Sequence, residues 1–266
     1  MIGIFDSGVG GMTVAHAIEK ALPEYRLVYF GDLARTPYGS KSPETIQKYS
    51  RQNIEFLIKM GAKLIVIACN SAASVATDHV RESFSLPIFD VIEPAVKRVM
   101  SLPICLKKKA RIGVIGTRAT INSGIYPKKI AEACEEARIF SQECPLLVPL
   151  VEEGWLQARE TKMIIRRYLS PLKRKQVTAL VLGCTHYPLL KNLIQPRIGK
   201  NVSIIDSSEE LAANLRTYLL NNSEFAEGLE KGGEHTYFVS DVTDAAVRTA
   251  KRIFGRDLEL IYHKGI

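Results

Sequence analysis

Leu64-Ile65-Val66-Ile67-Ala68-Cys69-Asn70-Ser71 carries five apolar residues into a thiol, then into two small polar residues that open a helical pattern. A strand that is apolar at every position has both faces buried, which marks a parallel sheet covered by helices on both sides. Ala179-Leu180-Val181-Leu182-Gly183-Cys184-Thr185-His186 repeats the layout 115 residues later. Ile2-Gly3-Ile4-Phe5-Asp6-Ser7 and Ile112-Gly113-Val114-Ile115-Gly116-Thr117 form a second matched pair, about 110 residues apart, each opening on Ile-Gly and ending at a hydroxyl. Two similar α/β units, each with its own cysteine at a strand end, are the simplest account of both pairs.

Working outward, further strands are expected at Leu27 to Phe30, Ile88 to Val91 and Val202 to Ile205, with weaker signals at Tyr237 to Val239 and Leu258 to Ile261. Helical patterns separate them, so the expected fold class is α/β: two similar α/β domains with mainly parallel sheets facing a central cleft. One helix is well marked: Ser42 supplies an N-cap, Pro43 the first helical position and Glu44 a first-turn acid, while Gly61 closes it. Ile46, Tyr49, Ile54, Leu57 and Ile58 are expected to face inward from it. After Asp206 the chain still has a helical pattern, a strand and a second helix over Val242 to Phe254, too little for a third domain. That tail is expected to return to the first unit. Domain one is then residues 1–95 plus 207–266, carrying Cys69, and domain two residues 96–206, carrying Cys184.

At roughly 150 residues per domain, 266 residues leave room for two domains with real cores. Hydrophobic content of 46 %, charged content of 24 % and 12 prolines exclude a disordered or collagen-like chain. No stretch approaches the ~20 apolar residues of a membrane span, and Met1 to Gly11 lacks the basic start of a signal peptide. Five cysteines without a C-x-x-C pair fit free thiols and a cytoplasmic location. Of these, Cys105, Cys134 and Cys144 match no polar strand end and read as small packing residues. The net charge of +8 points to an acidic partner. Its basic triplets, Lys107-Lys108-Lys109 and Lys173-Arg174-Lys175, precede strands whose far ends carry Thr117 and Cys184, which places them at the pole opposite the cleft.

Ligands of open α/β sheets bind beyond the carboxyl ends of the strands. At those ends stand Asp6-Ser7-Gly8, Asp32, Cys69-Asn70-Ser71, Thr117 with Thr120, and Cys184-Thr185-His186. Gly8-Val9-Gly10-Gly11-Met12-Thr13 invites a dinucleotide reading with Asp32 at the ribose, but the third glycine of G-x-G-x-x-G falls on Thr13. These glycines read instead as a tight turn that exposes N–H groups to an anion. Cys69 and Cys184 each stand where a strand ends and a helix begins, a place that favours the thiolate. His186 lies two residues past Cys184, and Asp6 ends a strand expected beside that of Cys69, so each thiol has a proton partner. Zinc held by Cys69, Cys184 and His186 would lack a standard spacing and a fourth ligand, and a cysteine hydrolase would leave one thiol without work. Two opposed thiols suit stereoinversion, in which one thiolate removes a proton from a carbon while the facing thiol delivers one to the other side.

Several segments resemble the glutamate racemases: Ile2 to Gly11, Gly31-Asp32 with Pro37-Tyr38-Gly39, Ala68-Cys69-Asn70-Ser71-Ala72, Cys144 to Gly154, and Gly183-Cys184-Thr185-His186-Tyr187-Pro188. The matches are in family order and run from residue 2 to about 206. The resemblance implies an enzyme that interconverts L- and D-glutamate without cofactor or metal, supplying D-glutamate for peptidoglycan. It implies that Cys69 acts on the D-enantiomer and Cys184 on the L-enantiomer, with Asp6 and His186 as their partners. Asp6, Ser7, Pro37, Tyr38, Gly39, Asn70, Ser71, Thr117, Thr120, Glu152, Thr185 and His186 match substrate-binding or supporting positions of that family. The family usually has Thr where this chain has Ser71, so a hydroxyl is kept and a methyl lost. With no pyridoxal phosphate as electron sink, the carbanion must be stabilised by hydrogen bonds to the α-carboxylate in a closed cleft, for which Asn70, Thr185 and helix-start N–H groups are candidates. The start at Met1, directly on a strand, resembles the shorter family members and implies a homodimer. The alternatives are a racemase of aspartate or another acidic amino acid and, from a different class, a nucleic-acid-binding protein drawn by the basic triplets.

Overall fold

The computed structural model describes residues 1–103 and 110–264; Cys105 and the Lys107-Lys108-Lys109 triplet lie outside the described residues. Strands β1 (Ile2–Asp6), β2 (Leu27–Gly31), β3 (Leu64–Ile67) and β4 (Ile88–Asp90) come first in the chain. They are followed by β5 (Arg111–Gly116), β6 (Arg138–Glu143), β7 (Ala179–Gly183) and β8 (Ser203–Asp206), then by β9 (Thr236–Val239) and β10 (Ile261–Tyr262). They pair into a six-stranded sheet of order β10-β9-β2-β1-β3-β4 and a four-stranded sheet of order β6-β5-β7-β8. Every pair is parallel. The protein is therefore two parallel α/β domains, as the continuous apolar runs imply.

The inner order is the same in both sheets: β2-β1-β3-β4 in one and β6-β5-β7-β8 in the other. The matched sequence pairs are thus equivalent strands, β1 with β5 and β3 with β7, and all four are buried along nearly their whole length. In each sheet the chain crosses to the opposite side between these two central strands. That is the switch point at which open parallel sheets leave a crevice for a ligand. Beyond Asp206, the helix Ser207–Asn221 packs on the helix Met12–Ala21, β9 pairs with β2, and β10 pairs with β9. No described helix is long and apolar enough to cross a membrane.

The helix Pro43–Lys59 forms as its caps dictate, with the Ser42 hydroxyl accepting the Thr45 N–H and Gly61 at φ +93° past its end. Ile46, Ile54 and Leu57 are buried, but Ile58 is 38 % exposed and Phe56 takes the inward place instead. The reason is tertiary: the Phe56 ring meets Phe30 of β2 at 4.7 Å and Phe238 of β9 at 5.5 Å, and β9 arrives from the far end of the chain. β6 has no counterpart among the expected strands. It is an edge strand with no fully buried position, so Arg138-Ile139-Phe140-Ser141-Gln142-Glu143 shows no apolar run. The final strand is displaced from Leu258 to Ile261 onto Ile261–Tyr262, an exposed two-residue edge.

The Ile-Gly openings have unequal causes. A Cβ at Gly3 would lie 2.7 Å from Ala62 Cβ and 3.2 Å from Leu57 Cβ, atoms that move only with the main chain. At Gly113 the nearest atoms are Leu180 Cδ1 at 3.0 Å and Leu172 Cδ1 at 3.4 Å, the free ends of side chains. Gly3→Ala is expected to cost about 1–3 kcal/mol by overpacking, and Gly113→Ala distinctly less. Urea unfolding of the two variants checks this, and equal costs would contradict it.

Candidate active site

Asp6 ends β1, and Cys69 follows β3, the strand hydrogen-bonded to it. Both side chains are buried. Cys69 caps the helix Asn70–Ser83, and its thiol donates to Ser7 Oγ at 3.5 Å. Burial, with the Asp6 charge beside it, pushes the Cys69 thiol up to about 12. The Ser7 hydroxyl and the N–H groups of Ala72 and Ser7 favour the thiolate but are outweighed. The helix start expected to favour a thiolate therefore does not prevail here, because its contribution is smaller than the cost of taking a charged sulfur out of water. Asp6 accepts the Gly8 N–H at 2.9 Å and the Thr185 hydroxyl at 3.3 Å. Burial still lifts its carboxyl to about 6, against the pull of His186 and the N–H groups of Gly8 and Gly11.

On the other side, Cys184 follows β7 and lies 3.8 Å from His186 Nδ1, while His186 Nε2 lies 3.0 Å from Glu152 Oε1. Burial works against a charged imidazole, but hydrogen bonds to Cys184 and Glu152 prevail and raise His186 to about 10. Glu152 ends the helix Leu147–Glu152 and keeps about a third of its side chain exposed.

The two sets of strand ends meet directly. Thr185 reaches Asp6, and Ser71 Oγ lies 2.9 Å from Thr117 Oγ1, which in turn lies 3.2 Å from Thr120 Oγ1. Asn70 accepts the Tyr126 hydroxyl at 2.8 Å and points its amide nitrogen at Ser207 Oγ, 3.5 Å away. Gly10 and Gly11 are required by closeness and not by a left-handed turn. A Cβ at Gly10 would lie 2.4 Å from His186 Cε1 and Nδ1, and one at Gly11 would lie 2.2 Å from Asp6 Cβ.

The remaining predicted residues are sorted by these contacts. The short turn Tyr38–Ser40 brings Gly39 against Thr117, where a Cβ would fall 2.7 Å from Thr117 Cβ. Pro37 stands exposed at the head of that turn. The phenol of Tyr38 is buried and donates to Asp32, while Asn53 donates to it at 3.1 Å, so its hydroxyl is taken up by these neighbours. Asp32 holds no ribose position: it is buried and occupied by Arg35 at 2.6 Å, Ser240 at 3.1 Å and Tyr38. Cys144 is buried with its thiol directed at the Gln142 carbonyl, and Cys134 is half-buried against the core. Thr13, Tyr126, Ser207 and Ser208 also reach this region and are absent from the sequence-derived set. Asp206-Ser207-Ser208 stands at the end of β8 and carries the same polar strand-end signal as the others, whereas Tyr126 carries none.

The fold and site define a class: a racemase-type α/β enzyme with one buried thiol at the equivalent strand end of each domain. The family model described as Asp/Glu/Hydantoin racemase matches residues 12–215. The glutamate racemase of Geobacter metallireducens is 44 % identical over 261 residues, which cover 98 % of this chain and 95 % of that one. Among solved structures, glutamate racemase isoform RacE1 from Bacillus anthracis superposes with a TM-score of 0.90 at 34 % identity, covering 99 % of this chain and 97 % of that one. The glutamate racemase of Francisella tularensis in complex with D-glutamate gives 0.89 at 34 %, covering 98 % and 96 %. The chain belongs to the Asp/Glu/hydantoin racemase family, among its glutamate racemases.

His186 carries a stability consequence. Between pH 6.5 and about 10 the folded protein holds a proton that the unfolded chain releases, so its contribution is complete below 6.5 and is lost as pH rises through about 10. The melting temperature is expected to fall over that range, and to fall less in His186→Gln. Parallel slopes in the two proteins would remove the assignment.

Proposed function

We propose that the cleft interconverts L- and D-glutamate by exchanging the α-proton between Cys69 and Cys184, with Asp6 and His186 as their respective proton partners. The observation that carries this is the equivalence of the two thiols. Each follows the same strand of a matching sheet, each is buried, and each has its own titratable neighbour. Glutamate racemases with full-length similarity support the substrate. For D-glutamate, the Cys69 thiolate takes the α-proton and becomes a thiol beside Asp6, while the Cys184 thiol, beside His186, gives its proton to the opposite face of the α-carbon and is left as a thiolate. For L-glutamate the roles reverse.

With burial and the Asp6 charge pushing Cys69 up to about 12, its thiol is neutral in the empty site; the substrate ammonium brings positive charge beside it and favours loss of that proton to solvent. The developing carbanion is held by hydrogen bonds to the α-carboxylate. Asn70, Thr185 and the N–H groups that start the helix Asn70–Ser83 are within the same buried cluster, where such bonds are strong because water is excluded. Ser71, Thr117, Thr120 and Gly39 line the opposing edge and hold the polar ends of the substrate. Residues 1–95 with 207–266, and residues 96–206, form the two lobes that close on it. The product feeds peptidoglycan. Free thiols at Cys69, Cys134, Cys144 and Cys184 support a cytoplasmic protein, and resemblance to the shorter family members supports a homodimer.

In heavy water, purified enzyme without added cofactor is expected to racemise L-glutamate and leave deuterium at Cα of the product. Cys69→Ala and Cys184→Ala are each expected to lower racemisation by about 10²–10⁴-fold, followed by circular dichroism. Intact racemisation in either variant would overturn the two-base assignment. The rate kcat/KM is expected to fall below pH about 6 as Asp6 takes up a proton, and Asp6→Asn to lose that acid limb. Enantiomers have equal free energy, so the limb must be the same in both directions; a limb unchanged in Asp6→Asn would assign it elsewhere.

A further inference from the structure

One hydroxyl outside the groups that face substrate joins the two domains. Thr13 is the second residue of the helix Met12–Ala21, and its Oγ1 lies 2.9 Å from the Gly10 carbonyl, 3.0 Å from the Thr185 carbonyl and 3.2 Å from Ser208 Oγ. Gly10 belongs to the loop after β1, Thr185 stands between Cys184 and His186, and Ser208 lies in the helix that leads from β8 back to the first sheet. A hydroxyl has one proton to give and two lone pairs to accept with. The two carbonyls therefore compete for the Thr13 proton, and Ser208 completes the set by donating into Thr13.

The two acceptors differ in kind. The Gly10 carbonyl lies three residues before Thr13 in the same stretch of chain and remains in reach however the domains move. The Thr185 carbonyl is in reach only while the Cys184-Thr185-His186 turn is seated on the glycine loop. The seat is tight, since a Cβ on Gly10 would fall 2.4 Å from the His186 ring and 2.7 Å from Thr185 Oγ1. We propose that Thr13 is a positioning residue for this turn: by transferring its hydrogen bond from the Gly10 carbonyl to the Thr185 carbonyl as the turn seats, it sets how deeply Cys184 and His186 enter the cleft. It acts through Thr185 and touches no reacting atom. Its catalytic consequence rests on the two-thiol function proposed above, whereas the latch itself rests on the geometry alone.

Thr13→Val keeps the shape and removes the hydroxyl, while Thr13→Ser keeps the hydroxyl. Amide hydrogen exchange over residues 184–190 reads the latch without any catalysis; it is expected to quicken several-fold in Thr13→Val and to match the parent protein in Thr13→Ser. In the assay, kcat/KM is expected to drop about tenfold in Thr13→Val, the size of one lost hydrogen bond, and equally in both directions. The α-deuterium isotope effect separates positioning from general weakening. It should rise for L-glutamate, whose proton Cys184 removes, and decline for D-glutamate. Should Thr13→Val not fold, Ser208→Ala removes the donor into Thr13 and is expected to shift both readouts in the same directions by a smaller factor. Unchanged exchange over 184–190, or isotope effects that move together, would overturn the latch. An unmodified protein that did not racemise glutamate would refute the proposed function and leave the exchange comparison to decide the latch.

Discussion

Gly10 meets the His186 ring so closely that no side chain fits between them. Through this contact the loop after β1 in one sheet receives the turn after β7 in the other. Gly11, one residue on, leaves the matching space for Asp6 beneath the loop. The two glycines thus let one titratable partner lie under the loop and the other press on it from the opposite domain. The bonds that join the strand ends, Thr185 to Asp6, Thr13 to Thr185, Ser71 to Thr117 and Tyr126 to Asn70, all presuppose that approach. A larger residue at 10 would hold the sheets apart, one at 11 would displace Asp6, and either would leave polar groups buried without partners, which is costly.

Burial at this junction sets the chemistry. Taking charge out of water raises Asp6 to about 6 and Cys69 to about 12, whereas His186 is carried to about 10 by its two hydrogen-bonded neighbours despite burial. The two sides of the cleft are therefore unequally protonated before substrate arrives, one holding a neutral thiol and the other a charged imidazole beside its thiol. Glu152 supports the imidazole from outside: its carboxyl is partly exposed, lies 3.0 Å from His186 Nε2 and steadies the ring.

Much of this was legible in the chain itself, for a physical reason. Central parallel strands are covered on both faces, so they appear as unbroken apolar runs, and the first polar residue after each run must lie at the sheet edge where ligands bind. That logic reaches Asp6, Cys69, Thr117 and Cys184 without coordinates. It fails for β6, whose edge position admits polar residues along the strand, and for Phe56, whose inward turn depends on a ring contributed by Phe238. It does not say what the loop glycines and the phenol of Tyr38 face. Whether a loop glycine serves a turn, an anion or a close neighbour depends on what packs against it, and nothing local records that the Tyr38 hydroxyl belongs to Asp32.

The sequence by itself determined the parallel α/β class, the internal pairing of β1 with β5 and β3 with β7, and the two strand-end thiols. All of these follow from runs of neighbouring residues whose hydrophobicity reports local burial. Only the tertiary structure decided that β9 pairs with β2 and β10 with β9, that Thr13, Tyr126 and Ser207 bond to groups at the junction of the two domains, and that Cys69 is held as a neutral thiol despite standing at a helix start. Those outcomes depend on which distant segments touch and on how much water they exclude, and neither quantity is a property of any stretch of chain considered alone.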